Sequence, residues 1–215
     1  CEQMVALASA AAKAGVDGLL LVTPYYNKPS QEGLYRHFRT VADSTDLPVM
    51  LYNVPPRTGV NLEAATTLRL VRDARNVVAV KEASGNLIQA TEIVAGAPDG
   101  FLVYSGEDAL VLPMLAVGAH GVVSVSAHVV GCDLAAMHAA FFSGNVAEAA
   151  SLHARMLPVV RALFQPTTPS PVPLKAALRL LGLPGGSPRL PLVEATDRER
   201  DIVQQALASG GYLKA

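Results

Sequence analysis

The chain has 215 residues, of which 51% are hydrophobic and 16% charged, with 17 Lys and Arg against 18 Asp and Glu. That apolar fraction excludes intrinsic disorder, and a net charge of −1 leaves no basic footprint for nucleic acid and no polybasic membrane signal. Two cysteines, Cys1 and Cys132, cannot build a disulfide framework, so a reducing, cytoplasmic compartment is expected.

The chain opens on a helical pattern of Met4, Val5, Leu7, Ala8, Ala11 and Ala12. Nothing before it reads as a basic signal-peptide start, and no apolar run reaches the ~18 residues of a membrane span. Five short apolar runs follow: Asp17–Thr23, Leu47–Asn53, Asn76–Lys81, Gly100–Ser105 and His120–Ser126. They start 20 to 30 residues apart and are continuous rather than alternating. This predicts strands of a parallel sheet, buried on both faces. Helical segments such as Ser30–Asp43 and Leu62–Arg72 lie between them, so the elements alternate as βα units and the fold class is α/β. After Ser126 only helices are expected: Leu134–Phe142, Asn145–Phe164, Pro173–Leu181 and Thr196–Ala208. Thr196 and Glu199 form a capping-box pair, and the stretch Gly182–Pro191 reads as a turn-rich linker.

The G-x-G-x-x-G signature of a dinucleotide-binding sheet is absent. Polar residues instead cluster just after the strand runs, at Tyr25 and Tyr26, Tyr52, Lys81 and Gly106-Glu107-Asp108. A (β/α)8 barrel, or TIM barrel, places its chemistry there. Five units do not close such a barrel, so three more would stand before Cys1, and without them the strand at Asp17–Thr23 would be an open apolar edge prone to aggregation. The expected division is a partial barrel over residues 1–130, carrying strands four to eight. The last barrel helix and a C-terminal helical extension fill 131–215.

Lys81 continues the apolar run Val77–Val80 directly, which no other of the five lysines does. Apolar surroundings lower an amine's pKa and free it to attack a carbonyl. The plainer reading is a solvent-facing lysine or one paired with Glu82. Tyr52 ends its own strand and can relay protons, or simply be a half-buried strand tyrosine. Arg57 sits on a loop stiffened by Pro55 and Pro56 and ended by Gly59, which suits bidentate recognition of a carboxylate; the alternative is a surface arginine. Tyr25 and Tyr26 read as an interface pair, Gly106 as a point where backbone approaches a ligand closely, and Asp108 as a helix cap. The five histidines show no metal-ligand spacing, and no metal site is expected.

In order along the chain, TPYYNKPSQEGLYRHF, LYNVPPRTG, VKEASGN, YSGEDA and HGVVSVSAH resemble the dihydrodipicolinate synthase branch of the pyruvate-dependent class I aldolase/lyase family. The resemblance extends through PVPLKAAL in the tail. It implies a barrel with a helical extension, built into a homotetramer as a dimer of dimers. It also implies condensation of pyruvate with aspartate semialdehyde, without a cofactor, in lysine and diaminopimelate biosynthesis. Lys81 would form the Schiff base with pyruvate and Tyr52 would relay protons. Tyr26 would reach into a neighbouring subunit's site, with Tyr25 beside it at an interface where several relatives bind lysine as inhibitor. Arg57 would hold the semialdehyde carboxylate, and Gly106 and Val123 would line the pyruvate pocket. The family's Gly-Thr-Thr-Gly-Glu segment, which supplies a threonine to the relay, has no counterpart in these residues. Two competing readings remain: a retro-aldol lyase of a keto-sugar acid, as in N-acetylneuraminate lyase, and an inactive truncated relative.

Overall fold

A computed structural model describes residues 1–213; the expected helical extension runs two residues further, and Lys214 and Ala215 lie outside the described residues. The chain forms two compact units, residues 1–123 and 124–215.

The first unit alternates strands and helices: α1 (Glu2–Lys13), β1 (Leu19–Val22), α2 (Gln31–Ala42), β2 (Val49–Asn53), α3 (Pro55–Thr58), α4 (Ala64–Asp73), β3 (Val77–Glu82), α5 (Leu87–Gly96), β4 (Leu102–Ser105), α6 (Val111–Ala116) and β5 (Gly121–Val122). The five strands pair in sequence order, all parallel. Each crossover therefore advances the sheet by one strand in the same direction. A doubly wound sheet would reverse at a switch point, and none is present among the described residues.

Local chemistry sets the helix boundaries. Ser30 caps α2 by accepting from the Gly33 N–H, and Asn86 caps α5 by accepting from the Ile88 and Gln89 N–H groups. Pro55 and Pro56 begin α3, where a missing N–H costs nothing, and Gly59 ends it at a φ of 74° that favours glycine. Val54 precedes them, so the stretch read as a stiff loop is one short helical turn.

The core lies on one side of the sheet. Leu21, Val49, Leu51, Val77, Val80 and Val103 point to that side and pack with Leu34, Phe38, Val41, Leu70 and Ile93 of the helices. The opposite side carries Leu20, Met50, Val78, Leu102 and Tyr104, which line a depression of about 320 Å3. Leu20 there is 50% exposed. The expected burial on both faces therefore holds for the helix-covered side alone, because helices α2, α4, α5 and α6 all supply that one core.

One irregularity fixes which residues face which side. Val49 pairs with Val77 but Met50 pairs with Ala79, so β3 carries one extra residue, Val78. Beyond this bulge Leu51 pairs with Val80, Tyr52 with Lys81 and Asn53 with Glu82. Side chains alternate along a strand, so Lys81 faces the open side and Glu82 the helices.

Two expected elements differ in extent. The strand read at His120–Ser126 pairs only over Gly121–Val122, because the chain turns at Ser124, whose hydroxyl accepts the Ala127 N–H at 2.8 Å. The helix read from Leu134 begins seven residues earlier, at Ala127, with a non-helical backbone at Val130.

The second unit is helical: α7 (Ala127–Phe142), α8 (Val146–Leu163), α9 (Val172–Leu180) and α10 (Asp197–Ser209). Both bonds of the capping box at Thr196 and Glu199 form, as the sequence indicates. The Gln165 amide donates to the Ala162 carbonyl at 2.9 Å and the Glu199 carbonyl at 3.1 Å, tying the end of α8 to α10. Asp133 accepts the Tyr212 hydroxyl and pairs with Arg155, and burial with that carboxylate pushes the tyrosine up to about 12. The turn-rich linker is held by Lys175, whose ammonium donates to the Gly185 carbonyl at 2.7 Å. Among the described residues no helix is long and apolar enough to cross a membrane.

Candidate active site

The C-terminal ends of the strands are joined by backbone bonds that continue past the ladders. Thr23 N–H donates to Tyr52 O at 3.0 Å, Ala83 N–H to Asn53 O at 2.8 Å, Gly106 N–H to Glu82 O at 2.7 Å and Val123 N–H to Ser105 O at 2.9 Å. The register then places Val22, Tyr52, Lys81 and Tyr104 in one row across the open side. Parallel pairing, not sequence proximity, brings these side chains together.

Lys81 is buried, and its Nζ lies 4.2 Å from the centre of the Tyr52 ring. Burial lowers its pKa from the ordinary lysine value; the Asp108 carboxylate pulls it back up and the Arg57 guanidinium pushes it down again. The expected solvent-facing alternative does not describe it. Nor does pairing with Glu82, which faces the other way and has its own partners. Tyr52 is half-buried, and burial raises its pKa, with Arg57 opposing and Glu107 adding to the rise. Its hydroxyl therefore keeps its proton through the neutral range and can donate it.

Arg57 stands on α3, exposed, with no ion-pair partner among the described residues. Its charge reaches both Lys81 and Tyr52, so the three form one electrostatic unit. A guanidinium without an ion-pair partner has its donors available to an anion.

Gly106 was expected to admit a ligand, but the nearer reason for glycine is the lysine itself. A Cβ there would stand 2.6 Å from the Ala83 Cβ and 3.0 and 3.1 Å from Lys81 Cε and Cγ. The Lys81 stem lies against that backbone. Gly106→Ala is expected to push the amine off its position and slow its reaction with a carbonyl substrate by about tenfold or more. Stopped-flow measurement of adduct formation checks this; an unchanged rate in a folded variant would show that the stem has other room. Val123, half-buried, continues the same row of strand ends next to Ser105.

Tyr25 and Tyr26 stand apart from this group. They are 70% and 94% exposed, and no hydrogen bond or ring contact joins them to Lys81 or Tyr52 among the described residues. Tyr26 is the middle residue of a tight turn, with Asn27 N–H donating to Tyr25 O at 2.9 Å, and has a φ of 72°. A non-glycine residue in this region is strained by on the order of 1–3 kcal/mol. The turn leaves the Tyr26 ring in solvent.

Several residues here have no functional role in the sequence reading. Tyr104 sits in the Lys81 row, and Asp108, read among the strand-end polar residues only as a helix cap, is buried within electrostatic reach of the amine. Asp108 begins a one-turn 3-10 helix, Asp108–Leu110, where Glu107 holds the cap position that the sequence assigned to it. Behind the sheet, Asn53, Asn61, Glu82 and Gln89 form a polar network. The sequence carries no clear signal for them: Asn53 and Glu82 each follow a residue of the row by one and so face the other way, but only the strand pairing shows which side is covered. No group of three or more His, Cys, Asp or Glu side chains suited to a metal occurs among the described residues.

The chain is 57% identical over 212 residues to the 4-hydroxy-tetrahydrodipicolinate synthase of Desulforudis audaxviator, covering 99% of this chain and 71% of that one. The crystal structure of DHDPS from Cyanidioschyzon merolae with lysine bound superposes with a TM-score of 0.94 at 45% identity, over 97% of this chain and 70% of that chain. The chloride-inhibited dihydrodipicolinate synthase from Acinetobacter baumannii, complexed with pyruvate, superposes with a TM-score of 0.91 at 35% identity, over 97% and 71%. The sequence model of the Dihydrodipicolinate synthetase family matches residues 1–209, from the first helix through α10. The buried lysine under its tyrosine thus sits in a chain that belongs to the dihydrodipicolinate synthetase family.

Proposed function

We propose that this chain condenses pyruvate with L-aspartate 4-semialdehyde to 4-hydroxy-tetrahydrodipicolinate, a step of lysine and diaminopimelate biosynthesis, through a Schiff base on Lys81. The family is one of synthases, and the relatives closely matched along this chain carry that name. The observation that supports the residue assignment is a buried amine, its pKa lowered by burial, held 4.2 Å from a tyrosine ring with the Arg57 charge acting on both.

The neutral Lys81 amine attacks the keto carbon of pyruvate, and the carbonyl oxygen leaves as water after proton transfers through Tyr52. Loss of a methyl proton turns the iminium into an enamine. Its carbon bonds to the aldehyde carbon of the semialdehyde, whose oxygen takes a proton and becomes the hydroxyl. The substrate's own amino group then displaces Lys81 from the imine carbon, closing the ring and freeing the enzyme. One water is lost in total, no electron donor or acceptor is needed, and no cofactor enters. Arg57 binds the semialdehyde carboxylate, and Gly106 and Val123 line the pyruvate pocket.

The five-stranded sheet serves as one arc of a (β/α)8 barrel. Its open apolar side and the relatives' greater length both suit three further βα units against β1 and β5. The barrel share ends with the first unit at Val123 rather than at residue 130, because the expected boundary falls inside α7; the helices of the second unit suit the last barrel helix and the helical extension. The exposed, strained Tyr26 reaches a neighbouring copy's site in a dimer of dimers, and Tyr25 lies at the same interface. Two exposed free cysteines suit a reducing, cytoplasmic setting.

Arg57→Ala is the discriminating experiment on substrate. Losing a charged bidentate contact costs about 1.5–3 kcal/mol, roughly ten- to a hundredfold. We expect KM for the semialdehyde to rise by that factor while pyruvate binding changes little. Equal losses for both substrates would assign Arg57 to loop support and remove the argument for a carboxylate-bearing aldehyde.

A further inference from the structure

The residue after Lys81 is a buried carboxylate with no cation beside it among the described residues. Glu82 Oε1 accepts from the Ser84 N–H at 2.7 Å and from Asn53 Nδ2 at 3.2 Å; Oε2 accepts from Gln89 Nε2 at 3.0 Å and from Asn53 Nδ2 at 3.1 Å. The network continues outward. Asn53 Nδ2 also donates to Asn61 Oδ1 at 2.8 Å, and Asn53 Oδ1 accepts the Leu62 N–H at 2.9 Å. Asn61 Nδ2 donates to Gln89 Oε1 at 2.7 Å. The carboxylate thus joins the end of β2 through Asn53, the end of β3 through its own backbone, the loop before α4 through Asn61, and the first turn of α5 through Gln89.

Asn53 and Glu82 are register partners, one step beyond the partners Tyr52 and Lys81. Whatever fixes the first pair fixes the second, because the two pairs share two peptide units. A lone buried carboxylate is a costly group to keep unless its hydrogen bonds do something that neutral groups would not. Charge-assisted bonds are about twice as strong as neutral ones, and here they act directly behind the reacting amine.

We propose that Glu82 is a positioning residue for Lys81: with Asn53 and Gln89 it clamps the ends of β2 and β3 so that the amine is held against Tyr52. This rests on Lys81 being the Schiff-base lysine. Glu82 touches no substrate and lies on the far side of the sheet.

The test is borohydride trapping of the pyruvate adduct in the full gene product, timed and mapped by mass spectrometry. Glu82→Gln keeps the shape but turns one acceptor into a donor that faces other donors. It is expected to trap on Lys81 on the order of a hundredfold more slowly, the size of effect that misplacement by about 1 Å produces. Its pH profile is expected to move to higher pH, because an amine released from burial regains its solvation, while Asp108, Arg57 and Tyr52 are unaltered. The double variant Glu82→Gln/Gln89→Glu restores a donor facing a carboxylate and should recover part of the rate, the remainder being lost with the bonds that the Gln89 nitrogen gives to the Leu62 carbonyl and Asn61 Oδ1. A purely structural role would lower thermal stability and leave the trapping rate and its pH profile of the folded enzyme unchanged, which would overturn the proposal. Should Glu82→Gln not fold, Gln89→Met leaves the carboxylate in place and removes its Gln89 donor, together with that amide's bonds to Asn61 and to the Leu62 carbonyl, and should slow trapping to a smaller extent; a wild-type rate there would equally overturn it. A wild-type adduct on another lysine would instead remove the Lys81 reading on which the proposal rests.

Discussion

Lys81→Ala is expected to abolish pyruvate trapping and to lower turnover by on the order of a millionfold, the loss seen when a covalent nucleophile is removed. The expectation follows from burial of the amine and from the free space that only glycine leaves for its stem at Gly106. The pH dependence has a defined sign. Only the unprotonated amine attacks the keto carbon, and burial lowers its pKa below the ordinary lysine value of 10.5. Trapping should therefore rise with pH and level off below that value. Arg57 contributes to the lowering, so Arg57→Ala should move the inflection upward, and Asp108→Asn should move it downward. An adduct that forms on Lys28 or Lys175 in the wild type would overturn the assignment.

Tyr52→Phe should slow Schiff-base formation by roughly 10²- to 10⁴-fold, the range for a positioned general acid or base. The substitution keeps the ring that lies 4.2 Å from the Lys81 amine and removes only the hydroxyl. The pH at which trapping levels off should thus stay in place while the rate falls. That separation distinguishes proton transfer from packing. Rapid-quench trapping across a pH series measures both quantities at once, and a phenylalanine variant as fast as wild type would leave Tyr52 a packing residue.

The sheet was legible because its strands are apolar runs at βα spacing, and each run ended within a few residues of the true strand. The last strand was over-read at Ser126, since Ser124 turns the chain by a side-chain bond that hydropathy does not register. The start of α7 was missed for a related reason: Ala127–Asp133 includes Val129, Val130 and Gly131, residues of low helix propensity, and packing overrides them. Lys81 and Tyr52 were legible as polar side chains that close apolar runs. Their roles came from the family resemblance rather than from position. Glu82 and Asn53 were not legible, because a polar residue at a strand exit reads as solvent-facing. Only the third dimension shows that they point inward. At Gly106 the sequence points to a close approach to a ligand, whereas the neighbours that the structure shows there are the Ala83 methyl and the lysine stem.

The extra residue at Val78 also bears on how such a site could change or be moved. In a run of four apolar residues, Val77 to Val80, no side chain announces which is the added one. Yet that residue acts as a phase setting for everything downstream: it decides that Lys81 emerges on the open side and Glu82 among the helices. Shortening the run by one would exchange the two, burying the amine among the helices and presenting the acid on the open side. The three-letter run Val80-Lys81-Glu82 is therefore not a portable unit. A designer who grafts this lysine onto another parallel sheet must transplant the irregularity below it as well, or choose a host strand whose parity already matches.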